Sequence, residues 1–153
     1  MQIMIFNIRI IEEKDYSSIA DMIRNDLGYE NSTDEDVRIR LAKIKEYNNY
    51  VTYVAVYEDN IIGFIGLILG TAYEFSGEYI RVAALAVKNE YQNIGVGSKL
   101  LEEAEKYAKR AKAKTMVLNS GIQRETTHRF YERRGYVKKG YSYKKSIWIK
   151  QYE

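Results

Sequence analysis

The 153-residue chain has no cysteine, no proline and one histidine, His128. Without cysteine it forms no disulfide, builds no thiolate metal site and has no thiol nucleophile. One histidine also excludes a multi-histidine metal centre, so no metal is expected. No apolar run approaches the ~20 residues that span a bilayer. The apolar start, Met1 to Phe6, is too short for a signal peptide and leads straight into Asn7 and Arg9. A soluble cytoplasmic protein without a membrane partner is the expectation. Internal repeats, low-complexity tracts and Gly/Ser linkers are missing too, which predicts a single domain over residues 1–153.

What is present suits a folded chain: 46% apolar and 29% charged residues. A domain of this length buries roughly 70% of the surface of its unfolded chain, enough for a core without staples. The net charge of +3 is too small to imply a nucleic-acid partner. No helix-turn-helix or aromatic RNA-recognition signature accompanies it, so none is expected. The charge is unevenly placed. Residues 12–36 carry nine acids against Lys14 and Arg24, and residues 124–150 carry nine bases against Glu125 and Glu132. Such runs fit two solvated faces, or one end suited to a cationic ligand and another to a phosphate-bearing one.

Periodicity predicts a strand over Ile3–Ile11 and a helix over Asp15–Leu27, with Ile19, Met22, Ile23 and Leu27 on one face. Ser32 with Glu35 forms a capping-box pattern for a second helix carrying Val37, Leu41 and Ile44. Tyr50–Tyr57 and Ile61–Thr71 read as strands joined by an Asp59-Asn60 turn. Tyr79–Val87 is a nearly continuous apolar run, expected for a strand covered on both faces. A helix over Gly95–Ala111 follows, with Leu100, Leu101, Ala104, Tyr107 and Ala108 inward. Then come a short strand at Thr115–Asn119, a helix over Glu125–Arg134 ended by Gly135, and a closing hairpin over Tyr136–Trp148. The order predicts an α/β (α+β mixed sheet) class with helices on the sheet faces.

The segment from Val87 to Ser98 joins a buried strand to a long helix. Free N–H groups at a helix start, backed by the macrodipole, bind anions, and glycines there admit a phosphate close to the backbone. The Gly-Lys-Ser/Thr ending of a P-loop is missing, and Leu100 stands where a dinucleotide fingerprint needs its third glycine. Two glycines at a strand–helix turn equally fit an ordinary tight turn, and these residues alone leave both readings open.

Gln92-x-x-Gly95-x-Gly97 resembles the Gln/Arg-x-x-Gly-x-Gly/Ala signature of the GCN5-related N-acetyltransferase (GNAT) superfamily, after a strand ending Leu85-Ala86-Val87. Separately, His128-Arg129-Phe130-Tyr131-Glu132-Arg133-Arg134-Gly135-Tyr136 looks like that family's fourth-helix segment, with a tyrosine four residues before a Gly-aromatic pair. The similarity of element order covers nearly the whole chain. It implies a central mixed sheet with splayed strands 4 and 5, flanked by about four helices. Asn93 departs from a common glycine, Asn89 from a common proline, and Arg124 from an asparagine seven residues before the tyrosine.

The resemblance implies an N-acetyltransferase using acetyl-CoA. Backbone N–H groups of Gln92, Asn93, Ile94, Gly95, Val96, Gly97 and Ser98 would hold the pyrophosphate, and Arg124 could reach a phosphate. Leu85, Ala86 and Val87 would pair with the pantetheine arm as an added strand, an N–H near Leu85 polarising the thioester carbonyl. The acceptor amine attacks directly, and Tyr131 becomes the general acid for the leaving thiolate, although a tyrosine among fifteen otherwise reads as packing. Glu78 is the candidate base, and His128, one turn before Tyr131, reads as a surface or cofactor-flanking residue. The acidic first two helices would face a cationic small-molecule amine or a peptide amine. Residues 124–143 also resemble the aminoalkylphosphonate acetyltransferase type, a segment shared by many members. A homodimer through Tyr141, Tyr143, Ile147 and Trp148 is expected. The competing class is a CoA-binding or regulatory module of this fold without turnover.

Overall fold

The computed structural model describes residues 4–148. Along them run β1 (Asn7–Ile10), α1 (Tyr16–Asn25), α2 (Asp34–Glu46), β2 (Tyr50–Tyr57), β3 (Asn60–Thr71), β4 (Glu78–Val87), α3 (Val96–Arg110), β5 (Ala113–Val117) and α4 (Glu125–Arg133). Single 3₁₀ turns occupy Glu13–Asp15 and Asn89–Tyr91. The chain divides between Leu118 and Asn119 into two compact units. The first holds all five strands with α1 to α3, and the second holds α4.

The sheet order is β1-β2-β3-β4-β5. The first three pairings are antiparallel and β4–β5 is parallel, as a crossover helix between them requires. The mixed α/β class therefore stands. Adjacent strand residues point to opposite faces. Phe64 and Ala86 meet Ile19, Met22 and Val37 in one apolar cluster. Gly63 turns to the other face, where a Cβ would lie 3.1 Å from Leu100 and 3.2 Å from Val96 of α3. Helices thus cover both faces, and Gly63 lets the first turn of α3 settle close to β3.

Several local expectations shift. Within the described residues β1 covers only Asn7–Ile10, and Met1 to Ile3 lie outside them. The cap of α2 is Thr33, whose hydroxyl accepts the Asp36 N–H, rather than Ser32. Glu58 and Asp59 carry the two positive φ angles of the β2–β3 turn, one residue earlier than expected. β4 has buried residues on both faces, as expected: Ile80 and Val82 lie beside Leu69 and Leu67 on the α3 side, Ala86 beside Phe64 on the other, and Ala83 alone along the strand is exposed. Ala83 is the extra residue of a bulge, since Gly66 pairs with Ala84 and Leu67 with Val82.

No strand forms over Tyr136–Trp148. Alternation there gives strand propensity, but propensity needs a partner and a lone hairpin is marginal in water. Tyr141, Tyr143, Ile147 and Trp148 are instead all exposed.

One ion pair anchors the start of the first unit. Arg9 donates to both oxygens of buried Asp15 at 2.7 and 3.0 Å, and the Glu12 N–H donates at 2.8 Å. Burial alone would raise the Asp15 carboxyl, but the Arg9 and Glu12 bonds and the charges of Arg9 and Lys14 hold it below its ordinary 3.8. Its stabilisation is therefore present above the unfolded pKa and is lost as pH falls through the folded value. Arg9→Ala, which strands the buried carboxylate, lowers stability by about 2 kcal/mol in urea unfolding at pH 7, and the deficit shrinks in acid.

Candidate functional site

The start of α3 is built by backbone conformation. After β4 the chain makes the Asn89–Tyr91 turn, extends at Gln92, and becomes left-handed at Asn93 (φ 64°) and Gly95 (φ 95°). Asparagine is among the few residues that accept this conformation, which explains Asn93 at a position suited to glycine. Gly95 is the N-cap, and no side chain caps the helix. Its first backbone bond runs from the Lys99 N–H to the Gly95 carbonyl at 3.0 Å. The N–H groups of Val96, Gly97 and Ser98 consequently have no intrahelical acceptor. A Cβ at Gly95 would meet nothing within 4 Å, so the space beside the N-cap is open. Positive dipole, free donors and open space together make an anion cradle.

Side chains brace this loop from behind. Gln92 Nε2 donates to the Val87 carbonyl at 3.0 Å and to Asn89 Oδ1 at 3.2 Å, so its amide is a strut across the turn. The Tyr57 and Tyr91 rings meet edge-on at 6.0 Å. From α1, Asp26 Oδ1 accepts the Asn89 N–H at 3.1 Å. Burial raises the Asp26 carboxyl, with Glu90 adding to this and the Asn89 N–H and Lys88 opposing it. Nothing in the sequence signals the Asp26 contact, because 63 positions separate the partners.

Beside the cradle lies an open strand edge. The parallel ladder runs only from Glu78↔Ala113 to Arg81↔Val117. Beyond Arg81, β4 keeps β3 on one side, through Leu85↔Ile65, Ala86↔Phe64 and Val87↔Gly63, and has no β5 partner. The parallel ladder stops there because β5 itself ends at Val117. Because the Lys88 N–H bonds the Ile62 carbonyl of β3, the alternating ladder turns Ala86 toward β3. Leu85 and Val87 are left to offer backbone groups on the freed edge to an extended ligand, the Val87 carbonyl being already bonded to Gln92.

In the second unit, α4 ends in a Schellman motif. The Tyr136 N–H bonds the Tyr131 carbonyl and the Gly135 N–H bonds the Glu132 carbonyl, both at 3.0 Å, with Gly135 at φ 91°. The accompanying side-chain contact is Tyr131 against Tyr136, 5.8 Å between ring centroids, and Phe130 lies 5.2 Å from Tyr131 on another side. The Tyr-x-x-x-Gly-Tyr spacing is thus a helix stop that fixes the Tyr131 ring. Burial pushes the Tyr131 phenol above its ordinary 10.0, against the opposing charge of Arg124, so it holds its proton at neutral pH. Arg124 is the N-cap of α4. His128 Nε2 donates to the Gly121 carbonyl at 2.7 Å, which commits this imidazole to the loop before α4. The buried Ser120 hydroxyl has no partner among the described residues.

Glu78 begins β4, paired with Ala113 and Thr71. It stands seven residues before Leu85, roughly 23 Å along a strand, too far to touch a group at Leu85. In the acidic segment Asp15 pairs with Arg9, Asp21 and Asp34 with Arg24, and Glu35 with Arg38. An open cavity of about 700 Å³ lies at the α1–α2 corner, lined by Tyr29, Glu30, Ser32, Asp36 and Arg40. Arg40 is held there by the Asp36 carbonyl at 3.3 Å and Ser32 Oγ at 3.2 Å. The cavity presents both signs of charge. No helix among the described residues is long and apolar enough to cross a membrane.

Comparison with known proteins gives consistent matches. A family model described as Acetyltransferase (GNAT) family matches residues 16–136. The chain is 26% identical over 140 residues to an aminoalkylphosphonate N-acetyltransferase of Salmonella typhimurium, covering 86% of this chain and 82% of that one. Among solved structures it is similar to a GNAT family acetyltransferase of Staphylococcus aureus. There the TM-score is 0.78 at 28% identity, over 93% of this chain and 98% of that one. A transcriptional regulator from Bacillus halodurans shares the fold, with TM-score 0.88 at 21% identity over 94% and 100% of the two chains.

Proposed function

This chain belongs to the GNAT acetyltransferase family, and on that footing we propose that it moves the acetyl group of acetyl-CoA to the amine of a small molecule or peptide. The observation that carries this reading is the pairing of the α3 cradle with the freed β4 edge. Acetyl-CoA fits this chain as a substrate. The free N–H groups of Val96, Gly97 and Ser98, with Asn93, Ile94 and Gly95 leading into them, take its pyrophosphate. The Gln92 N–H, expected in the same role, is bonded instead to the Asn89 carbonyl at 3.3 Å. Leu85 and Val87 take its pantetheine arm as a strand would be taken, with Ala86 between them turned to β3. Arg124 adds a positive charge for the phosphates.

The neutral amine attacks the thioester carbonyl carbon, and the resulting oxyanion accepts an N–H near Leu85. Collapse breaks the C–S bond and leaves the amide, while Tyr131 passes its phenolic proton to the departing thiolate. Water takes the proton lost by the amine, and Glu78 is left out of the path by its distance. The acceptor we favour carries an amine together with an acidic group, because Glu30 and Asp36 share the corner cavity with Arg40. The relative acting on aminoalkylphosphonates supports the same class. Two copies pair through the exposed Tyr141, Tyr143, Ile147 and Trp148, which sedimentation of the protein will register as a dimer.

A thiol-release assay with acetyl-CoA tests the reaction against aminoalkylphosphonates, amino acids, spermidine, aminoglycosides and a lysine-rich peptide. Turnover is expected, fastest with the amino acids or aminoalkylphosphonates. Saturable CoA binding without turnover on any amine makes the chain a binding module instead. Absence of both thermal stabilisation by acetyl-CoA and turnover overturns the reading.

A further inference from the structure

The Asn89–Tyr91 turn that delivers the chain into the cradle opens with an N–H that no group in the turn can satisfy. Its N-cap, Lys88, makes no side-chain capping bond. The acceptor arrives instead from α1, through Asp26 Oδ1 at 3.1 Å. Asp26 is itself firmly placed. It is the C-cap of α1, its N–H bonded to the Met22 carbonyl at 2.9 Å, and Met22 is fully buried in the α1–sheet cluster. Asn89 is held a second time through Oδ1, which accepts from Gln92. Two anchored groups thus fix the residue three positions before Gln92, and the left-handed Asn93 and Gly95 follow directly. A carboxylate close to a loop meant for phosphates is electrostatically unfavourable. Its presence has a local reason here: it caps the turn from a distant element.

We propose that Asp26 is a positioning residue for acyl-CoA, capping the Asn89 turn from α1 so that the N–H groups after Gln92 are aimed before the pyrophosphate arrives. This rests on the acetyl-CoA reading above and adds a residue outside the signature. The carboxylate acts as a hydrogen-bond acceptor, and its charge is dispensable. Asp26→Asn keeps an acceptor and removes the charge, whereas Asp26→Ala removes both. Asn89→Pro removes the donor while suiting the first position of a helical turn, which needs no acceptor there.

The test is calorimetric binding of CoA to the full chain, with steady-state KM for acetyl-CoA alongside. Asp26→Ala is expected to weaken CoA binding about tenfold, the cost of leaving the Asn89 N–H without its acceptor, with kcat unchanged. Asp26→Asn binds within about twofold of wild type, since it still accepts the bond. In an Asn89→Pro background, Asp26→Ala causes no further loss, because the bond it removes is already gone. Asp21→Ala, on the same helix and in an exposed ion pair with Arg24, leaves binding unchanged. Asp26→Ala lowering only the melting temperature, with CoA affinity intact, overturns the proposal. So does additivity of the two substitutions, or equal behaviour of the Asn and Ala variants. Wild type that binds no CoA overturns the acetyl-CoA reading itself and this inference with it.

Discussion

Gly95→Glu abolishes measurable acetyl-CoA binding while the sheet still forms. Gly95 sits at φ 95°, where an L side chain costs roughly 1–2 kcal/mol. A new Cβ meets nothing within 4 Å, so the fold has no clash to relieve and the strain is local. The carboxylate then stands in front of the N–H groups of Val96, Gly97 and Ser98, where the pyrophosphate is proposed to bind. It repels that anion and competes for its donors. Two lost bonds to a charged group, at about 1.5–3 kcal/mol each, weaken binding by at least about 100-fold. Gly95→Ala separates the causes: it keeps the strain without the charge and loses about tenfold. Titration calorimetry, with circular dichroism melts as the folding control, reads both. Affinity of Gly95→Glu within threefold of wild type, about 0.6 kcal/mol, would remove this loop from the cofactor site.

Tyr131→Phe lowers kcat by up to about 100-fold, the scale of a lost general acid, and leaves KM for acetyl-CoA nearly unchanged. The phenyl ring keeps its contacts with Phe130 and Tyr136, so the Schellman stop of α4 survives. Only the hydroxyl proton is gone. Because burial raises the phenol above 10.0, the acid form is fully populated at neutral pH and is lost only as pH rises through the folded value. Wild type and variant therefore show parallel kcat profiles between roughly pH 6 and 9, the variant's displaced downward. A wild-type profile that falls in that window while the variant's stays flat, or an unchanged kcat, would take the proton-donor role from Tyr131.

The places where local pattern and structure part have specific causes. Ser32 and Thr33 are adjacent, and each has an acid three residues on, so two overlapping capping patterns compete. The Thr33 hydroxyl makes the bond because Thr33 is extended (φ −84°, ψ 161°) immediately before the first helical turn. The β2–β3 turn moves by one residue because Ala55↔Gly63 and Val56↔Ile61 leave Ile62 as an extra residue in the ladder. The stretch after Tyr136 has the composition of a hairpin but no partner strand among the described residues. In each case the competing patterns differ little within a few residues, and a pairing or backbone angle set elsewhere decides between them.

From the sequence alone came the α/β class, the order of elements through α4, the anion-suited helix start at Gly95 and the spacing of Tyr131 from Gly135-Tyr136. These are written within a few residues of themselves, in periodicity, glycine placement and helix-stop chemistry. The tertiary structure alone decided where the β4–β5 ladder stops, after Arg81 and Val117, and so which backbone edge is free. It also decided that Gln92 braces the turn, that His128 is spent on Gly121, and that Asp26 reaches Asn89. Those bonds depend on how packed elements bring distant residues together, and burial of apolar surface, which drives that packing, is non-directional and leaves no pattern between the partners' positions.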